Sequence, residues 1–109
     1  MAAKGVEDVL VRRAPTQDRL GDPVPGEVVG ILENCIVWPR STSENADRGR
    51  VTIEGQNVWV PAPVSIVPKA SDVVEIRGEM HNIDGAVGDW RKKTGKRKGL
   101  LFATTRYTG

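Results

Sequence analysis

A chain of 109 residues, 39% hydrophobic and 28% charged, is long enough for one domain with a single modest core. Folding at this size buries roughly 60 to 68% of the surface that the unfolded chain exposes, and the apolar content excludes a wholly disordered protein. The formal charge of +2 lacks the basic excess of a general nucleic-acid binder.

That charge is unevenly spread. Residues 1–54 carry 7 Lys or Arg against 9 Asp or Glu, and residues 55–109 carry 9 against 5, so the halves stand at −2 and +4. The polarity suits a subunit that stacks on neighbours through unlike faces. Cys35 is the one cysteine, which rules out an intramolecular disulfide, and its neighbours Ile36 and Val37 predict a small buried residue. No apolar run reaches about 18 residues, and the segment MAAKGVEDV lacks the apolar centre of a signal peptide. A soluble protein matured in a reducing cytoplasm is expected, with no membrane partner.

In chain order, Val9, Leu10 and Val11 predict a strand within residues 6–14. Pro15, Gly21, Pro23, Pro25 and Gly26 crowd the next dozen residues and exclude a long helix or a central strand, leaving residues 15–26 as an extended linker or arm. This arm either lies on its own barrel or reaches a neighbouring subunit. Residues 27–38 are the longest apolar segment, and their β-branched content favours a strand bulged near Gly30. A helix is the rival, because Val28, Ile31, Leu32 and Cys35 also fall at helical spacing; Gly30 weighs against it.

The segment RSTSENADRGR, residues 40–50, has no apolar residue larger than alanine, so it projects from the core as a polar loop. Residues 52–60 read as a hairpin with its turn at Gly55-Gln56. Pro61, Pro63 and Pro68 make the following segment extended and unpaired. Val74 and Ile76 then alternate with Val73, Glu75 and Arg77 as a half-buried strand. Gly78 breaks the run, a second short strand covers residues 79–84, and Gly85 and Gly88 open a polar turn before Trp90. A basic loop spans residues 91–98 and a last strand residues 99–108. With six or seven short strands and no sustained helical pattern, the expected fold is all-β, a small β-barrel or compact sandwich.

Asp72, Val74, Gly78, Asp84-Gly85, Gly88-Asp89-Trp90, the Lys-rich gap, Gly99 and the closing strand ending at Arg106 and Gly109 form an ordered pattern. So do Val37-Trp38-Pro39-Arg40 and residues 51–61 upstream. Together they resemble the head-closure, or stopper, proteins of long-tailed bacteriophages over most of the chain beyond about residue 26. His81 departs from the pattern, which often has an aromatic there. The resemblance implies a virion structural protein at the neck, forming a six-fold or twelve-fold ring, six favoured, between the portal adaptor and the tail terminator or tail tube. It also implies that Ser41, Thr42, Ser43, Glu44, Asn45, Ala46, Asp47, Arg48 and Gly49 form the loop that closes the DNA channel. Ring symmetry would bring a copy of the loop from each subunit to one axis, with Glu44 and Asp47 opposing DNA phosphate.

The second candidate site is the basic loop Arg91, Lys92, Lys93, Lys96, Arg97 and Lys98, with Trp90 beside it as an interface anchor. Like charges so close need solvent, an acidic protein surface or phosphate, and any DNA contact would be independent of sequence. Of Trp38, Trp59 and Trp90, some are expected to fill the barrel. His81 reads as a packed structural residue, and Asp84 and Asp89 as turn-stabilising acids. No nucleophile with a base, phosphate loop or metal-ligand set stands out, so neither an enzyme nor a cofactor is expected. The alternatives are a monomeric barrel that binds nucleic acid or an acidic protein through the basic loop, or another head-to-tail joining protein, an adaptor or tail terminator.

Overall fold

The computed structural model describes residues 6–46 and 49–106, with only the backbone course for residues 41–46 and 49–53. Eight strands follow one another: β1 (Val6–Arg12), β2 (Thr16–Gln17), β3 (Pro23–Val24), β4 (Val28–Ala46), β5 (Gly49–Pro61), β6 (Val73–Ile76), β7 (Glu79–Arg91) and β8 (Arg97–Arg106). Six of them close an antiparallel barrel in the order β1-β4-β5-β8-β7-β6, and β2 and β3 form a separate two-stranded sheet. The all-β barrel expected from the strand pattern is the fold.

Alternation decides what the barrel holds. Val58 and Val60 of β5, Leu100 and Phe102 of β8, and Val74 and Ile76 of β6 point inward, and Val9, Val11, Leu32, Cys35 and Ile83 complete the core. A six-stranded barrel has a narrow interior that aliphatic side chains and one Phe fill. No tryptophan enters it, contrary to the expectation that some would. Residues paired across an antiparallel ladder share a face. The pairs Ile36↔Trp59, Trp59↔Leu101, Trp38↔Asn57 and Trp90↔Gly99 therefore put all three tryptophans on the outer surface.

Three local expectations are corrected by the pairing. Gly55-Gln56 is not a turn: both residues lie inside β5, paired with Arg40 and Pro39. A continuous ladder offers more backbone hydrogen bonds than a hairpin inserted there, and the chain reverses beyond Ala46 instead. Gly85 and Gly88 do not end a strand; β7 runs through them with a bulge between Asp84 and Gly88, where Gly85 takes φ 86°. Residues 15–26 are not a plain extended arm, since β2 and β3 pair as a small hairpin.

Most other features agree with the sequence reading. Residues 28–38 are strand, and a register shift falls between Val11 and Arg12, opposite Gly30 and Val28. A second shift opposite Asp8 places Asn34 at φ 58°, its N–H donated to the Asp8 carboxylate at 3.2 Å. Arg77 and Gly78, at φ 52° and 80°, make the tight β6–β7 turn that a primed hairpin requires. Pro61, expected to be unpaired, is instead the last residue of β5 and pairs with Gly99, and Ala62 N–H still donates to the Lys98 carbonyl at 3.2 Å. Residues 63–72 beyond lie in no strand but are not idle: Val64 and Ile66 pack on the core, and the buried Asp72 accepts from the Lys69 N–H at 2.8 Å and from Arg13 at 3.2 Å.

Candidate functional site: a projecting ribbon and a basic hairpin

The polar segment 40–50 continues β4 and β5 rather than forming a loop. The two strands pair from Ile36↔Trp59 to Ala46↔Gly49, while β5 pairs with β8 only from Asn57 onward and β4 with β1 only up to Ile36. The residues beyond therefore form a two-stranded ribbon leaving one end of the barrel. At 3.2 to 3.4 Å per residue its eight residues per strand reach about 25 Å. Of the predicted channel loop, Ser41 to Ala46 and Gly49 lie along this ribbon, and Asp47 and Arg48 are outside the described residues.

The root of the ribbon is clamped to the barrel. Arg40 pairs with Asp84 of β7 at 2.7 Å and donates to the Thr104 carbonyl of β8 at 3.2 Å. From the other strand, the Gln56 N–H donates to Thr104 Oγ1 at 3.0 Å, and that hydroxyl donates back to the Gln56 carbonyl at 3.2 Å. Gly55 lies so close to the Thr104 carbonyl that a Cβ would stand 1.8 Å from it. Asp84, expected to stabilise a turn, is an ion-pair partner instead.

Beside this clamp a polar cleft of about 250 Å³ is lined by Pro39, Arg40, Glu54, Gln56, Glu79, His81 and Arg106. His81 is buried, with Nδ1 3.3 Å from Thr104 Oγ1 and Nε2 4.0 Å from Glu79. Thr104 Oγ1 accepts from Gln56 N–H and has one proton to share between the Gln56 carbonyl and His81 Nδ1. Burial lowers the His81 pKa from the usual 6.5; Glu79 opposes this and Arg106 adds to it. A histidine depressed on folding stabilises the barrel fully above its unfolded value, and that stability is lost as pH falls through the folded one. The melting temperature is expected to drop as pH is lowered below about 6.5, and to drop less in His81→Asn. Parallel melting curves that do not differ in slope between the two proteins would refute this.

The basic loop is also built differently from its sequence reading. Arg91 ends β7 and Arg97 begins β8, so the connection is a tight hairpin. It is closed by Lys92 N–H to the Lys96 carbonyl at 2.8 Å and Gly95 N–H to the Lys92 carbonyl at 2.9 Å, with Gly95 at φ 90°. Asp89 binds Arg97 at 2.9 Å and Arg91 at 2.9 Å. These bonds, that from Arg97 foremost, hold the Asp89 carboxyl below its ordinary pKa. Asp89 thus absorbs two of the six charges, and no described carboxylate pairs with Lys92, Lys93, Lys96 or Lys98. Trp90 stands 56% exposed at the foot of this hairpin.

The two candidate sites do not converge. β4 and β8 run in the same direction, so the end of β4 and the start of β8 lie at opposite ends of the barrel. The ribbon projects from one end, and the lysine hairpin sits at the other. Burial pushes the Cys35 thiol up to about 12, with Asp8 and Glu7 adding to the effect, so it is the inert packed residue expected. Among the described residues no three metal-ligating side chains cluster, and no helix is long and apolar enough to cross a membrane. Thr104 and Asp84 were missed as clamp residues because each is ordinary in its local sequence and gains its role from a strand far along the chain.

No protein-family model matches the chain, and no curated protein matches it. Among solved structures it is similar to a chain from the virion of a native gene transfer agent (GTA) particle, at 17% identity and a TM-score of 0.55. The likeness covers 94% of this chain and 96% of that one, so the two share a fold from end to end.

Proposed function

We propose that this chain is a non-enzymatic structural protein of a phage-like virion, a ring subunit of the neck between the portal adaptor and the tail terminator or tail tube. The observation that carries the reading is the end-to-end fold likeness to a chain of a gene transfer agent virion. The ribbon gives it a mechanism. Copies related by a rotation axis, six in the favoured arrangement, bring their ribbons toward one channel. Strands about 25 Å long, with Glu44 in β4 and Asp47 next after that strand in the sequence, obstruct DNA by bulk and by like charge. The clamp of Arg40, Gly55 and Gln56 on β7 and β8 holds the ribbon at a set angle, and any contact with DNA is to phosphate, without sequence preference.

The test is to image filled particles and fit the chain at the head-to-tail junction. A ring there with the 41–49 segments toward the axis is expected, and absence from the particle would discard the reading. Replacing residues 41–49 by a two-residue turn is expected to leave rings intact and most heads empty. Undiminished DNA retention would rule out the gating role.

A further inference from the structure

Two features on opposite sides of the barrel match each other. The first is the tip of the β2–β3 hairpin, where Leu20 is 86% exposed. This exposure is built in. The Asp18 carboxylate accepts the N–H of both Leu20 and Asp22 at 2.9 Å, Asp18 N–H donates to the Asp22 carbonyl at 2.9 Å, and Gly21 closes the turn at φ 83°. A leucine is thus held out on a closed turn, flanked by two acids and by Arg19.

The second is the outer face of β4, β5, β8 and β7. Ile36 and Trp38, 48% and 41% exposed, and Trp90 surround Trp59 and Leu101 in adjoining rows of the ladder. The unpaired Lys92, Lys93, Lys96 and Lys98 rim this face at its Trp90 end. In the closed order β1-β4-β5-β8-β7-β6, strands β5 and β8 lie across the barrel from β6 and β1. The β2–β3 hairpin leaves from β1, and Pro15, Pro23 and Pro25 border a cleft with Val73, Met80 and Asn82 on the β6–β7 side. An acid-flanked apolar knob and a lysine-rimmed apolar face therefore occupy opposite flanks of the barrel. A chain cannot join them within itself, whereas neighbours side by side can.

We propose that Leu20 of one copy seats on the tryptophan-bearing face of the next copy, with Asp18 and Asp22 against the lysine hairpin. The contact is head-to-tail, the kind that closes a ring when its rotation divides a full turn. It rests on the ring reading above and names the surfaces that would build the ring.

The experiment uses the full chain. Sedimentation velocity should show assembly that rises with concentration, that needs at least about tenfold more protein with Leu20→Asp, and that is little changed by Leu20→Met. Asp22→Lys should weaken it, and Lys92→Asp with Lys93→Asp should restore it. Leu20→Cys and Trp90→Cys proteins, mixed and oxidised, should give a crosslinked heterodimer, and one chain carrying both should give a ladder in assembled particles. The buried Cys35 does not compete. Assembly or neck rings indifferent to Leu20→Asp and without crosslinks would overturn the docking and leave the ring reading standing. A chain monomeric at every concentration and missing from the neck of imaged particles would overturn both.

Discussion

Phe102→Ala is expected to cost about 4 kcal/mol of folding stability, since truncating a buried aromatic removes its transfer free energy and leaves a cavity. Phe102 is the one phenylalanine, 2% exposed, and it pairs across the ladder with Val58, itself fully buried. The interior is otherwise mostly Val, Leu and Ile held by a closed ladder. Closed strands cannot slide inward to fill the void, which puts the loss toward the upper part of the usual range of about 3 to 5 kcal/mol. Small domains are stable by about 5 to 15 kcal/mol, so the melting temperature should fall by roughly 15 to 30 °C. Urea unfolding followed by tryptophan fluorescence measures it, and a shift equivalent to less than about 1 kcal/mol would contradict the packing described.

Gly55→Ala is expected to cost about 2 to 3 kcal/mol, the range in which overpacking forces backbone shifts. The added methyl would meet the Thr104 carbonyl oxygen at 1.8 Å and its carbon at 2.7 Å. No rotamer can relieve a clash between a Cβ and a backbone, so β5 and β8 must part. Parting them breaks the two hydrogen bonds between Gln56 and Thr104 and loosens the angle at which the ribbon leaves the barrel. The urea midpoint reads the stability, and faster amide exchange at Gln56 reads the local opening. A midpoint equal to that of the parent protein would mean that the close approach is absent.

The parts of this fold legible in the sequence are those set by neighbours along the chain. Val74 and Ile76 alternate with Glu75 and Arg77 because one side of their strand faces the core, and Gly78 stops that strand because a primed turn needs positive φ there. Prolines at 63 and 68 keep their segment out of the ladder whatever lies nearby, although Pro61 itself closes β5 opposite Gly99. What failed depended on partners. Gly55-Gln56 has turn chemistry, yet Gly55 is needed for lack of a side chain where a strand from the far end of the chain crosses it. Gly85 and Gly88 likewise form a bulge because β8 continues opposite them. The tryptophans mislead through their size, since a narrow barrel filled by aliphatic residues leaves large aromatics outside. Of the candidate site, the polar projection was legible from its lack of apolar residues, but its pairing as a ribbon and the neutralisation of Arg91 and Arg97 by Asp89 were not.

Closure of the barrel leaves few places where further strands can be added. The barrel strands are flanked on both sides over part of their length, and along the ribbon β4 has lost β1 and β5 has lost β8. The ribbon's two outer edges are therefore runs of backbone donors and acceptors open to intermolecular pairing. Open edges of this kind invite uncontrolled aggregation, and natural proteins guard them with proline and charge. This one carries Pro39 at its root, Glu44 in β4 and Arg50 in β5. Extension of the sheet by a strand from another chain can begin there, and replacing those charged residues with valine or isoleucine would turn the projection into a template for fibres.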